Sequence, residues 1–595
     1  MITKSSAGSK WVKQARRQVD RATSSVARHT GHFITGRLDH IRAVRRDVVL
    51  WLCLILLLIC CCFAQAIQIN SRTMVKATAP GGNYVEGVVD KLTTISPLYA
   101  NTDTEKAASQ LVYPGLLSYD SANKLHGQLA HSWQHDDSGK VWTVKLRSDL
   151  KWADGQALTA SDVVHTLALM KKPEINSTIS SSWQTITATA KDTTTVEFTL
   201  PAPLMSFDSA LTFGVLPKHI LEGKSAIEIA DLSNKQPAKL VGAGPFSFAS
   251  TEKSGDSSTW RFQPNPNYYG NPPKLNTFTI RTYSDNSSLI KGLISSEVNA
   301  ISGVKIDSLP QLKHNFKLIQ LKTADGVFAI FNNEADLTGD PVIRRALRLG
   351  LDRSAIRKQV LSGSDNRLHE PTALETPIAT GVYDQVDRLK QPDYNLEEAK
   401  KMLDGAGWVQ PQGSDYRQKS GAQLNLNIIT IADTNYQNVA RLIAQQWKKL
   451  GVNAQVRAIP PSGAQQNYLA PRNYDVLVYQ IHLGADPDMF AYWSSTQTQA
   501  SGLNLANYRS RRAEIALSAG RSNTNPEARQ ARYVAFVHQW LKDCPAIALY
   551  QPSLIYAAEP SVRMLNSGEA LIDAGNRYQA TGNWTSATRM VMTTP

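Results

Sequence analysis

Cysteine is almost missing from the region where cross-links would matter. Of five in 595 residues, Cys53, Cys60, Cys61 and Cys62 share one apolar stretch, and only Cys544 lies beyond it. The chain after residue 70 therefore closes no internal disulfide, and its stability has to come from a buried core. Long apolar runs are just as scarce, with one charge-free stretch of 22 residues from Val48 to Ile69. Motifs for covalent chemistry are absent too: there is no H-E-x-x-H, no paired C-x-x-C and no G-x-S-x-G. Gly223-Lys224-Ser225 looks like the end of a phosphate loop, but Lys218 stands where its first glycine is required, which excludes ATP hydrolysis here. Ser-x-x-Lys recurs at Ser121, Ser148, Ser250, Ser288 and Ser302 in strand, turn and helix contexts alike, the behaviour of chance matches. No fixed-period repeat is visible, and the one biased tract is the Ser/Thr-rich stretch from Asn176 to Thr189.

What is present begins with charge. The net +14 is concentrated at the start, where residues 1–47 hold eleven Lys or Arg against Asp20, Asp39 and Asp47. A basic flank followed by an apolar run suits a membrane signal-anchor better than a nucleic-acid surface. The run is long enough to cross a bilayer as a helix, and Arg37, Arg42, Arg45 and Arg46 before it, against Arg72 and Lys76 after it, put the N-terminus in the cytoplasm. A bulky Ile59 before Cys60 argues against lipoprotein processing. The expected layout is a basic tail over 1–47, a membrane helix over 48–69, and a linker over 70–82. The remainder is too long for a single core and divides into at least two packed units.

Strands and helices alternate irregularly after the linker. Residues 84–89, 195–200, 277–282, 424–430 and 474–479 carry strand patterns, while 340–361, 396–405, 438–450 and 526–542 carry apolar residues at helical spacing. That is a mixed α/β (α+β) chain. The segment Trp142 to Leu167, WTVKLRSDLKWADGQALTASDVVHTL, reads as strand, Ala153-Asp154-Gly155 turn, and a helix from Asp162 capped by Thr159 or Ser161.

That literal string resembles the signature of the family 5 extracytoplasmic solute-binding proteins, the peptide, oligopeptide and nickel receptors of bacterial ABC importers. Similar segments recur in family order: LVYPGLL from Leu111, QLAHSW from Gln128, GAGPF from Gly242, NPNYY from Asn265 and DPVIRRALRLGLDRSAI from Asp340. AKKML from Ala399 leading to Ala406-Gly407-Trp408, Asp486-Pro487, and CPAIAL from Cys544 complete the series. The resemblance implies a two-lobed periplasmic-binding-protein-like fold enclosing its ligand, preceded here by one transmembrane helix. Lobe I would take 83–330 and 546–595 with an inserted subdomain near 118–238, and lobe II 331–545. It implies no catalysis and no cofactor, an oligopeptide or similar small solute as ligand, ABC permease subunits as partners, and no nucleic acid. The membrane would be engaged through residues 48–69, with the binding region on the extracytoplasmic face.

By position in the family pattern, the candidate ligand contacts are Ser96, Leu98 and Tyr99 after the first strand, Tyr113, Phe331 and Asn332, and Tyr479, Gln480, His482, Asp486 and Asp488. Peptide-binding members carry a Trp at the strand end near 479 and an Asp shortly before the D-P pair. Gln480-Ile481-His482-Leu483-Gly484 supplies neither, so an amine partner falls to Asp486 or Asp488, or the ligand lacks a free amine. His131 and His135, with His126 nearby, are weighed as metal ligands and set aside as a solvated strand end and turn. A peptide-sensing receptor without a transport role, and a peptide or cell-wall hydrolase on the same scaffold, are the alternative functions.

Overall fold

The computed structural model of the chain describes residues 45–177, 180–312, 315–360 and 367–592. Most of the basic tail lies outside the described residues. Two compact units divide the chain: Met1–Ala77 with Thr588–Pro595, and Thr78–Ala587. The first contains the helix Arg45–Thr73, within which Asp47–Gln65 is long and apolar enough to cross a membrane.

The second unit is built on two large sheets with separate cores. An eight-stranded sheet runs in the order Ala570–Leu571, Lys317–Thr323, Ser553–Ala558, Ala300–Ser302, Asn83–Val88, Thr277–Thr282, Ser257–Pro264, Phe246–Ser254. A six-stranded sheet runs Thr372–Ala373, Ala546–Gln551, Asp325–Phe331, Val476–His482, Asn425–Ile431, Asn453–Ile459. Asp325–Phe331 is wholly buried and pairs antiparallel on both sides, as its unbroken apolar run from Val327 requires. The two sheets define a first and a second lobe. Their pairing puts the passages between them at Ala324, between Thr323 and Asp325, and at Pro552, between Gln551 and Ser553. Sequence reading sets the same passages near 331 and 546. The difference arises because apolar strands such as Val327–Phe331 and Ala546–Leu549 do not reveal which of two sheets they join. A four-stranded antiparallel sheet, ordered Ala130–His135, Val141–Leu146, Thr195–Thr199, Thr187–Ala190, forms the inserted region with the helix Ala160–Lys171.

The conspicuous sequence segments turn out to brace one another. In the string from Trp142, the Asp162 carboxylate accepts the Thr159 N–H at 2.8 Å and starts the helix at Ala160. Ala153 N–H donates to Gly242 O (2.9 Å), Asn267 Nδ2 to Ala153 O (2.9 Å) and Asn265 Nδ2 to Gly244 O (2.9 Å). GAGPF in turn lies against the end of the helix Asp103–Val112, where Gly244 N–H donates to Val112 O. A Cβ on Gly242 would stand 2.0 Å from Val112 O, so only glycine permits this approach. In the second lobe, Arg344 of the DPVIRRAL segment donates to Cys544 O, Asp543 O and Thr338 O. It thereby caps the helix Pro526–Asp543, which Cys544 ends in a left-handed conformation at φ 53°. The helix expected over 340–361 is two, Pro341–Leu349 and Arg353–Val360: Gly350 closes the first, and the Asp352 carboxylate accepts the Ala355 N–H to open the second.

Candidate cleft between the lobes

Where the lobes face each other beside the two passages there is a cavity of about 710 Å³. The first lobe gives it Asp103, Lys106, Gln320, Ser553 and Asp573; the second gives Asp325, Asp433, Tyr436, Gln480, His482 and Tyr550. Each polar group has a local reason for its position. Asp103 opens the helix Asp103–Val112 just after its cap Thr102, where the exposed N–H groups favour a carboxylate. Asp573 caps the turn at Ala574–Asn576 by accepting from Asn576 at 3.0 Å. Asp433 caps the helix Thr434–Lys449 through Asn435 N–H at 2.9 Å. Asp325 and His482 are opposite partners across adjacent strands, and their side chains meet, Nδ1 to Oδ1, at 3.0 Å. Tyr436 donates its hydroxyl to Gln480 Oε1 at 2.5 Å.

Electrostatics follow from this acid-rich lining. Burial, and after it the nearby Asp573 charge, raises the Asp103 carboxyl above its ordinary value, with Lys106 and Arg577 opposing. Burial pulls the His482 imidazole down, but its hydrogen bond to Asp325 and the charges of Asp325 and Asp573 outweigh it, leaving a raised value. Among the described residues, neither Asp103 nor Lys106 has a hydrogen bond or ion pair at its charged end. A cavity holding four carboxylates against Lys106 and one histidine suits a solute that brings positive charge and hydrogen-bond donors.

The lobes also touch along their rims. Lys305 reaches Asp433 at 3.6 Å, the Ser206 hydroxyl donates to Asp488 Oδ2 at 3.0 Å, and Met205 N–H donates to Arg521 O at 3.0 Å. Asp208, on the first-lobe side, is pushed up to about 6 by burial and by the charge of Asp486.

The residues nominated from sequence divide into three groups. Gln480 and His482 line the cavity. Asp486 and Asp488 lie at the seam between inserted region and second lobe, where each holds an arginine. Arg529 Nη2 donates to both Asp486 oxygens at 2.7 and 2.8 Å, and Arg521 Nε donates to Asp488 at 2.8 Å. The others serve packing or backbone contacts. Ser96 and Leu98 are buried, Tyr99 and Tyr479 are half-buried against apolar clusters, and Tyr113 is buried with its hydroxyl donating to Leu240 O at 2.7 Å. Phe331 stacks on Trp447 in the core, and Asn332 donates to Arg472 O and Tyr474 O. His131 and His135 both fall on the strand Ala130–His135, and His135 Nδ1 contacts Asp136 O. Sequence reasoning passed over Asp103, Lys106, Asp325, Asp433, Tyr436 and Asp573. Asp325 did carry a signal, a lone acid at the head of an apolar strand.

The sequence from 124 to 502 matches the model of the bacterial extracellular solute-binding proteins, family 5. The chain belongs to that family. Among family 5 relatives, the oligopeptide-binding protein AppA of Bacillus subtilis is 26% identical over 494 residues, covering 81% of this chain and 89% of that protein. The nickel-binding periplasmic protein of Escherichia coli is 22% identical over 425 residues, covering 68% and 78%. The fold is shared with AppA of Bacillus subtilis in complex with a nonapeptide, at TM-score 0.68 and 24% identity, over 86% of this chain and all of that one. It is shared equally with NikZ of Campylobacter jejuni in complex with Ni(L-His), at TM-score 0.70 and 24% identity, over 85% and 100%.

Proposed function

We propose that this chain is a membrane-tethered, extracytoplasmic substrate-binding protein of an ABC importer, capturing an oligopeptide or similar solute between its lobes. The observation that carries the reading is the 710 Å³ cavity walled by both lobes. A solute that fills it touches both lobes at once and favours the closed arrangement, as hinge closure in binding proteins requires. Family membership and the relatives named for oligopeptides agree with it. The helix Arg45–Thr73 acts as a retained anchor with residue 74 onward outside the membrane, and permease subunits are the partners that take the solute over. Binding is non-covalent, with Asp325, Asp573 and Asp103 receiving the solute's cationic group, and Gln480, Tyr436 and Gln320 its amides. Native mass spectrometry of the full chain in detergent, reading the mass of what copurifies, tests this. A bound species of peptide mass that leaves without chemical change supports the reading, and a solute converted to product on standing overturns it.

A further inference from the structure

A second cavity, of about 220 Å³, lies wholly on the first-lobe side, between the helix Asp103–Val112 and the segment 576–583. None of its lining residues is an acid or a base, in contrast to the cleft. Six carboxamides line it, from Gln110, Gln128, Asn271, Asn576, Gln579 and Asn583, beside the ring of Tyr268.

Their hydrogen-bond capacity is largely unspent. Gln110 donates to Asn576 Oδ1 at 3.0 Å and keeps its own oxygen free. Gln128 accepts from Gly115 N–H at 3.0 Å and keeps its NH₂ free. Among the described residues, the side chains of Asn271, Gln579 and Asn583 make no hydrogen bond at all. For Gln579 the deficit is costly, because both its amide oxygen and its amide nitrogen are shielded from solvent yet unpartnered. A buried polar atom left so costs about 1–3 kcal/mol, and such an atom calls for a partner from outside the chain, a water or a ligand that displaces it.

The chemistry of the wall selects that partner. An ion would leave water with no counter-charge to meet it, and an apolar guest would leave the shielded Gln579 amide unsatisfied. Each amide offers donors and acceptors together, which matches groups that are donor and acceptor at once, namely hydroxyls. The space equals that of about seven waters at ~30 Å³ each, the size of one sugar ring with its hydroxyls.

We propose that this recess is a second binding site, separate from the interlobe cleft, for a neutral polyhydroxyl ligand of one sugar ring, either a free monosaccharide or the end residue of a glycan chain. The test is saturation-transfer NMR on the full chain in a detergent without a sugar head group, with methyl glucoside and an N-acetylglucosamine oligomer as probes. Binding is expected at millimolar concentration or tighter and falls about tenfold in Asn271→Ala. Asn271 is exposed, so the variant leaves the core untouched. Gln579→Ala loses the same binding, while Asp325→Asn in the cleft retains it. Transfer to the monosaccharide alone assigns the free sugar, and transfer to both probes assigns the glycan end. Absence of transfer at about 10 mM probe, transfer undiminished in Asn271→Ala, or transfer lost in Asp325→Asn overturns the proposal. Because the readout separates recess from cleft variants, it stands or falls independently of the cleft's own solute.

Discussion

The junction behind the first lobe and the cleft between the lobes are made of opposite things. At the junction, four separated segments meet, glycines allow contact, and polar groups find partners within the chain: the Asn265 side chain with Gly244 O, the Asn267 side chain with Ala153 O, and Gly244 N–H with Val112 O. In the same lobe Glu86, fully buried, accepts from Tyr84 and Ser302 at 2.7 Å and pairs with Arg577 at 3.3 Å. In the cleft, carboxylates stand at helix caps and strand ends with capacity to spare. The difference teaches that recurrent text in this chain marks what holds the lobes in shape. The residues that line the cleft lie outside those recurrent segments.

This contrast can be broken by mutation, starting with the buried pair. Arg577→Ala strands the Glu86 charge and costs about 3–5 kcal/mol of stability, read as a large fall in the thermal unfolding midpoint. Gly242→Val forces a side chain into Val112 O and costs about 3 kcal/mol by overpacking, with solute affinity in the folded fraction unchanged. Asp325→Ala should do the reverse. Calorimetry with the copurified solute shows a loss of about 1.5–3 kcal/mol in affinity, as for a hydrogen bond to a charged group, while the unfolding midpoint moves little. A fall in stability as large as that of Gly242→Val would erase the distinction between the two regions.

Smaller effects sharpen it. The Asp208 carboxyl holds its proton up to about 6 in the folded chain, against 3.8 ordinarily. The folded state therefore binds more protons than the unfolded one between those values, and this group's contribution to stability falls as pH rises from about 4 to 6. Asp208→Asn removes that slope, visible as a difference between unfolding midpoints of variant and parent across the interval. His482 slopes the same way, in a higher pH interval. Its raised value means a stabilising contribution that is complete below about 6.5 and lost as pH rises through the folded value. NMR titration of His482 shows a raised midpoint in the parent and a lower one in Asp325→Asn, where the hydrogen-bonded anion is gone and the Asp573 charge is left to oppose burial.

Much of the fold was legible in the sequence because periodicity and capping are local. The strand Thr277–Thr282 and the helix Leu396–Gly405 fall where the pattern put them, and Thr159, one of the two caps the spacing offered, does cap its helix, which opens at Ala160 rather than at Asp162. The break at Gly350 escaped because the apolar spacing continues through it. The site was less legible for a physical reason. Asp433 and Asp573 are ordinary capping residues in the text and Asp103 an ordinary first-turn acid, and only the meeting of two lobes gives them a shared cavity. Tyr113, within the recurrent LVYPGLL, and Phe331, at the end of an apolar strand, both went to the core, where they serve packing.

The central claim, that one solute is enclosed between the two lobes, is tested most directly by the crystal structure of the full chain with its copurified solute. The account predicts density for the solute between Asp325, Asp573 and His482, contacting both sheets across the passages at Ala324 and Pro552. Solute density outside that cavity, or contacting one lobe only, would contradict it.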